Sequence, residues 1–217
     1  EYFEYHGRYL DFPRRMVTPK PFQDPHPPCW MAATTEGSAE VAGRLGLGML
    51  SLSILKSLED LATQVRQYRQ AALEPTPITR VVTNKVAAYT LVHCADSMAD
   101  CEANRIWDSV WWWYQNLAHF ILEWEFPHFS PPERDVMFPL LARRDAGDFE
   151  PRDFNDADMI IVGDPDQCLE KLVRYAEIGV DSVICYVQFG YLPHEAVLRC
   201  IELLGSKVIP ELDKLSA

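Results

Sequence analysis

The cluster Thr34-Thr35-Glu36-Gly37-Ser38 brings three hydroxyls and a glycine together within five residues. It follows a short apolar run, Cys29-Trp30-Met31-Ala32-Ala33, with the length and composition of a buried strand. Beyond it, apolar residues recur at Val41, Ala42, Leu45 and Leu47, a spacing that suits one face of a short helix. Gly46 stands where a C-cap glycine would. A helix beginning near Thr35 leaves its first N–H groups unpaired and turns the positive end of its dipole outward. Hydroxyls from Thr34, Thr35 and Ser38, with Gly37 allowing close backbone approach, would complete a pocket for a phosphate. The same residues serve equally as an N-cap on a solvated turn, since hydroxyls before a helix are what capping demands. Residue type alone leaves both readings open.

Other reactive side chains form weaker patterns. The six histidines show no HExxH or other metal spacing, so no metal site is expected. No G-x-S-x-G elbow, G-x-G-x-x-G or P-loop occurs, which argues against a serine hydrolase and a Rossmann nucleotide site. His93 and Cys94 end an apolar run, where they could face a site; His194 opens a helix and reads as structural. The six cysteines are scattered without a CxxC pair and read as reduced core residues, Cys185 and Cys200 on apolar faces among them.

The bulk numbers bound the function. A chain of 217 residues builds one sizeable core or at most two small ones. A net charge of −12 argues against a nucleic-acid surface, which needs a basic patch, but not against a phosphorylated small molecule. No apolar run approaches the roughly 20 residues of a membrane span, and no signal segment opens the chain. A cytoplasmic location is expected.

The elements that must position the turn follow in order. Residues 1–28 look like an irregular, extended crossover, rich in aromatics and then in prolines that forbid regular helix. Residues 48–55 and 84–92 read as strands around a helix that Ser57 caps and that runs to about Leu73. One long helix is expected from about Ser97 to Glu125, with two apolar stripes. The first is Trp107, Trp111, Tyr114, Ala118 and Ile121; the second is Ile106, Val110, Trp113, Leu117, Phe120 and Trp124. Residues 126–158 lack periodicity and read as an insertion or long loop of the kind that lids a site. Met159-Ile160-Ile161-Val162 leads into Gly163-Asp164-Pro165, where Asp164 is a good N-cap and Gln167 completes a capping-box spacing. A strand at 183–187 and a last helix ending near Pro210 close the chain.

Short apolar strands alternating with helices are the signature of parallel β–α units covered on both faces. About four major strands are present where a closed (β/α)8 barrel needs eight. The expected fold class is therefore α/β: a partial TIM barrel of roughly four β/α units in one domain, with a long helical insertion.

Three segments carry a resemblance: YHGRYLDFP with TPKPFQDPHPPCWMAATTEGSAEVAGRLGLGML, GDPDQCLEKLVRYAEIGVDSVICYVQFG, and LPHEAVLRCIELLGSKVIPEL. Together they resemble the C-terminal half of the luciferase-like flavin-dependent monooxygenases, a superfamily of (β/α)8 barrels. In that family the turn after the fifth strand contacts the phosphate of FMN. The resemblance thus implies that Thr34, Thr35, Gly37 and Ser38, with the backbone of Glu36, bind the cofactor. Gln188 and Phe189 lie at the carboxyl end of the last strand, where they approach flavin or substrate or else cap the barrel. The activity implied is oxidation of a small organic substrate by O2 and reduced flavin supplied by a separate flavin reductase. A non-catalytic flavin-binding or scaffold subunit, and a deazaflavin-dependent oxidoreductase, are the alternatives. The family's first four strands, with their phosphate-binding arginines, have no counterpart here. A half-barrel exposes two sheet edges and an apolar face, so a homo-oligomer is expected.

Overall fold

A computed structural model describes residues 2–215. Seven strands and ten α-helices follow one another along these residues. The first two strands, β1 (Tyr2–His6) and β2 (Asp11–Met16), pair antiparallel around the turn at Gly7. Residues 1–28 were expected to be irregular, and this hairpin is a correction. Gly7 permits the tight reversal: a Cβ there would meet the Tyr5 ring at 2.5 Å. Every residue of the ribbon is exposed.

The remaining strands build one five-stranded sheet, and every pair in it is parallel. β3 (Trp30–Ala32) pairs with β4 (Gly48–Leu52), and β4 with β5 (Val86–Cys94). β5 is the hub. It also pairs with β6 (Ile161–Gly163) at positions 92–94 and with β7 (Ser182–Tyr186) at positions 87–91. Eight of its nine residues are buried, as a continuous apolar strand covered on both faces must be. The sheet does not close among the described residues. β3, β6 and β7 each pair with a single neighbour; Trp30 of β3 is 42% and Ile184 of β7 46% exposed.

Helices cover one face. α1 (Ser38–Arg44) and α2 (Leu58–Ala71) pack together where Gly43 lets the backbones meet; a Cβ there would sit 2.6 Å from the Tyr68 carbonyl. The Ser57 hydroxyl accepts the Asp60 amide at the start of α2. α8 (Pro165–Glu177) opens with a full capping box: Asp164 accepts the Gln167 amide and Gln167 accepts the Asp164 amide. Leu61, Val65 and Tyr68 of α2, Leu172 and Tyr175 of α8, and Leu203 of α9 (His194–Leu203) join Met49, Val86, Ala88 and Val92 in this first core.

A second core lies where the insertion meets the sheet. The single helix expected over 97–125 is broken: α3 (Met98–Ala103) and α4 (Ile106–Phe120) are separated at Arg105, whose φ of 58° is left-handed. The stripes shift accordingly. The buried face of α4 takes Ile106, Val110, Tyr114 and Ala118 from both, while Phe120 and Trp124 are exposed. Residues 126–158 are not one loop but carry α5 (Pro131–Met137), α6 (Pro139–Asp145) and α7 (Asp153–Asp156). Prolines at the first helical positions of α5 and α6, and the Ser130–Glu133 capping box, start these helices without any apolar period. The last helix also runs on past Pro210. A π-helical stretch at Leu204–Val208 links α9 to α10 (Ile209–Leu215), which takes Pro210 in its first turn. No helix among the described residues is long and apolar enough to cross a membrane.

Candidate functional site

Five strands running one way place their carboxyl ends on a single rim, the edge on which open and closed α/β sheets carry their sites. The Thr34–Ser38 turn lies on that rim, directly after β3. The Ala33 amide makes the last sheet bond, to the Leu50 carbonyl at 2.8 Å. Thr34, Thr35, Glu36 and Gly37 are then exposed, and Ser38 is buried. Gly37 is the N-cap residue, at φ 75°, and the space beside it is open. α1 starts at Ser38, three residues later than the sequence suggests.

The hydroxyls divide into two kinds. That of Ser38 donates to the Thr35 carbonyl and folds the turn. Those of Thr34 and Thr35 have no partner among the described residues. No side chain caps α1; the Ser38 amide donates to the Thr35 carbonyl at 3.2 Å, so the amides of Ala39 and Glu40 are left for water or an anion. The nearest ionisable groups along the chain, Glu36 and Glu40, are acidic. An anion here is therefore held by amides and hydroxyls alone, and its charge is not neutralised within this segment.

The other end of the rim is tighter. Phe189 is only 4% exposed, packed in the second core with its ring 5.9 Å from Tyr186. Gln188 is exposed. The loop after it is pinned to α4. The Tyr191 amide donates to the Ser109 hydroxyl at 3.0 Å, and a Cβ on Gly190 (φ 59°) would sit 2.5 Å from the Ser109 Cα. The structure thus leaves Gln188 open at the rim and seals Phe189 beneath α4.

His93 and Cys94 are both fully buried. His93 Nε2 lies 3.3 Å from the Asn104 side-chain nitrogen, and its buried Nδ1 has no partner among the described residues. Burial lowers its pKa to about 4, so the ring is neutral at ordinary pH. Cys94 meets Cys200, whose sulfur accepts the Cys94 amide at 3.1 Å. Burial pushes the thiols of Cys101 and Cys200 up to about 12, which keeps them un-ionised and inert. Cys185, expected in the core, is exposed because β7 is an edge strand. Among the described residues no cluster of His, Cys, Asp or Glu could hold a metal ion.

Two carboxylates that no motif marks hold the scaffold. Asp181, before β7, accepts the Val86 amide at 2.7 Å and pairs with Arg69 and Lys85, which ties the start of β5 to the start of β7. Burial alone would raise its pKa, but these three donors hold it below the usual carboxylate range. Asp158, at φ 53°, pairs with Lys171 and Arg174 and so fastens the end of the insertion to α8.

A family model described as luciferase-like monooxygenase matches residues 1–182. The chain belongs to that family. A relative from Acinetobacter baylyi, the oxygenase component of a flavin-dependent trigonelline monooxygenase, is 20% identical over 96% of this chain and 55% of its own length. Monooxygenase RslO1 from Streptomyces bottropensis superposes with a TM-score of 0.64 at 21% identity, over 97% of this chain and 56% of that one. The coenzyme F420-dependent tetrahydromethanopterin reductase of Methanopyrus kandleri gives 0.59 at 24% identity, over 96% and 57%. At these identities the structural likeness is one of fold. The chain spans little more than half the length of the relatives it matches.

Proposed function

We propose that this chain is the carboxyl-terminal half of a (β/α)8 barrel that binds reduced FMN and supports oxidation of a small organic molecule by O2. The observation that carries the reading is the rim turn after β3, where two exposed threonine hydroxyls without partners among the described residues precede a helix start that no side chain caps. A turn that served capping alone would spend a hydroxyl on the first amides of α1, and none is spent. Thr34, Thr35 and the amides of Ala39 and Glu40 hold the phosphate, Ser38 folds the turn, Gly37 and Glu36 contribute backbone, and Gln188 faces the ligand from the far end of the rim. When bound, the flavin supplies the electrons and a separate flavin reductase renews them. This chain holds the phosphate, and its insertion shields the rim from water.

The acidic neighbours of the turn show what is missing. A phosphate dianion on hydroxyls and amides alone is weakly held, so the cations that complete its site come from outside this segment. The unpaired edges β3 and β7 point the same way: in the assembled protein they are covered, by further strands or by a second copy.

Fluorescence titration with FMN and riboflavin tests the assignment. The double variant Thr34→Ala/Thr35→Ala removes only exposed atoms. It is expected to weaken FMN about tenfold and to leave riboflavin unchanged, the loss typical of charge-assisted hydrogen bonds. Equal weakening of both rejects the phosphate site. The same titration with a deazaflavin decides the cofactor class.

A further inference from the structure

Between the rim segment after β4 and the helices of the insertion lies a cavity of about 380 Å3. Its walls include Leu55 and Met159 from the sheet side, Tyr114 of α4, and Leu140 and Phe149 of the insertion. This volume lies within the range of small-molecule sites, about 300–1,000 Å3, and the lining is mostly apolar. One cation reaches it, Arg143 at the mouth.

Arg143 differs from its neighbours in the insertion. Arg134 pairs with Glu123, Arg144 with Glu150 and Arg152 with Glu102. Arg143 has no carboxylate partner among the described residues. Its Nη2 donates to the Asp148 carbonyl at 3.1 Å, and its guanidinium carbon lies 5.5 Å from the centre of the Phe149 ring. The group is thus held in place with most of its five donors unspent. The second charged group of the lining, Asp153, already accepts the Glu150 amide at 2.8 Å. Tyr114 adds a hydroxyl that stays neutral, since burial pushes its pKa up to about 12. An anchored, unpaired guanidinium at the mouth of an apolar cavity selects an anion with an apolar body. Asp153 restricts that anion to a single charge.

We propose that this cavity binds a small organic monocarboxylate, its ring or chain among Leu55, Leu140, Phe149 and Met159 and its carboxylate on Arg143. The site concerns binding alone and is tested without flavin, so it stands or falls separately from the phosphate turn.

Benzoate is the probe, with benzyl alcohol as the uncharged counterpart of similar shape. Trp111 reports occupancy, because its ring stacks on Tyr114 at 5.6 Å and lies 6.3 Å from Phe149. The protein is expected to bind benzoate saturably and more tightly than benzyl alcohol. Arg143→Gln should weaken benzoate about tenfold and leave benzyl alcohol unchanged. Arg143→Lys, which keeps the charge, should recover part of that loss. Leu140→Trp, which fills the cavity, should abolish both ligands while thermal unfolding shows a folded protein. The proposal is overturned by equal binding of benzoate and benzyl alcohol, by no saturable benzoate response, or by an Arg143→Gln variant that binds benzoate as before.

Discussion

A neutral histidine sealed beneath a helix break ties stability to pH. Folded His93 titrates near 4, against 6.5 for an exposed histidine. Between those values the unfolded chain takes up a proton that the folded chain refuses. Stability is therefore complete above about pH 6.5 and falls as the pH drops toward 4, by about 3 kcal/mol in total. Urea unfolding at pH 7 and pH 4.5 measures this, and in His93→Gln the part of the pH dependence due to this residue should vanish. An unchanged slope would show that other groups carry it. The residue scale also separates Ser38 from Thr34 and Thr35. All three are hydroxyls in one turn, yet the first is spent on the Thr35 carbonyl and the other two are not. Only the latter pair can be removed without disturbing the turn.

At the scale of elements, the contact between the β7 loop and α4 decides which residues reach the rim. Gly190 makes that contact possible twice over, through its positive φ and through the closeness of Ser109. Gly190→Ala must strain the backbone and push α4 away, at a cost of about 2–4 kcal/mol. Denaturant unfolding monitored by tryptophan fluorescence should show that loss, with Phe189 becoming more accessible. A cost near zero would mean that α4 does not bear on this loop. The insertion shows how element boundaries escape a periodic reading. α5, α6 and α7 are seven, seven and four residues long, too short to build an apolar period, and are started by Pro131, Pro139 and the Asp153 side chain. The break at Arg105 escaped for a different reason. A left-handed arginine has no local signature; its guanidinium lies 4.7 Å from the distant Tyr191 ring centre, beside a local pair with Asp108.

The sheet is open among the described residues, with β3, β6 and β7 each paired on one side only, and the β1–β2 ribbon is exposed along its length. Trp30 and Ile184 stand at the edges, and Tyr2, Phe3, Tyr5 and Tyr9 on the ribbon and its turn, all substantially exposed. Apolar surface of that extent is covered in a stable protein. Light scattering on the 217-residue chain is expected to show a dimer or larger species. A clean monomer that fails to bind an apolar dye would refute this.

The amino-acid sequence determined the local grammar of this protein. Strands at β3, β4, β5 and β7 were legible as short apolar runs. The caps at Ser57 and Asp164 and the glycine stop at Gly46 were legible because each is set by one or two neighbouring residues. The family resemblance was legible in ordered motifs for the same reason. Tertiary structure alone decided that Phe189 is sealed while Gln188 is open, and that Arg143 lacks the carboxylate its neighbours have. Those outcomes depend on groups far apart in the chain: Ser109 against Gly190, Glu102 against Arg152, Asp181 against Arg69. Local periodicity carries no information about such pairs, since burial and pairing are set by which surfaces meet when the sheet assembles.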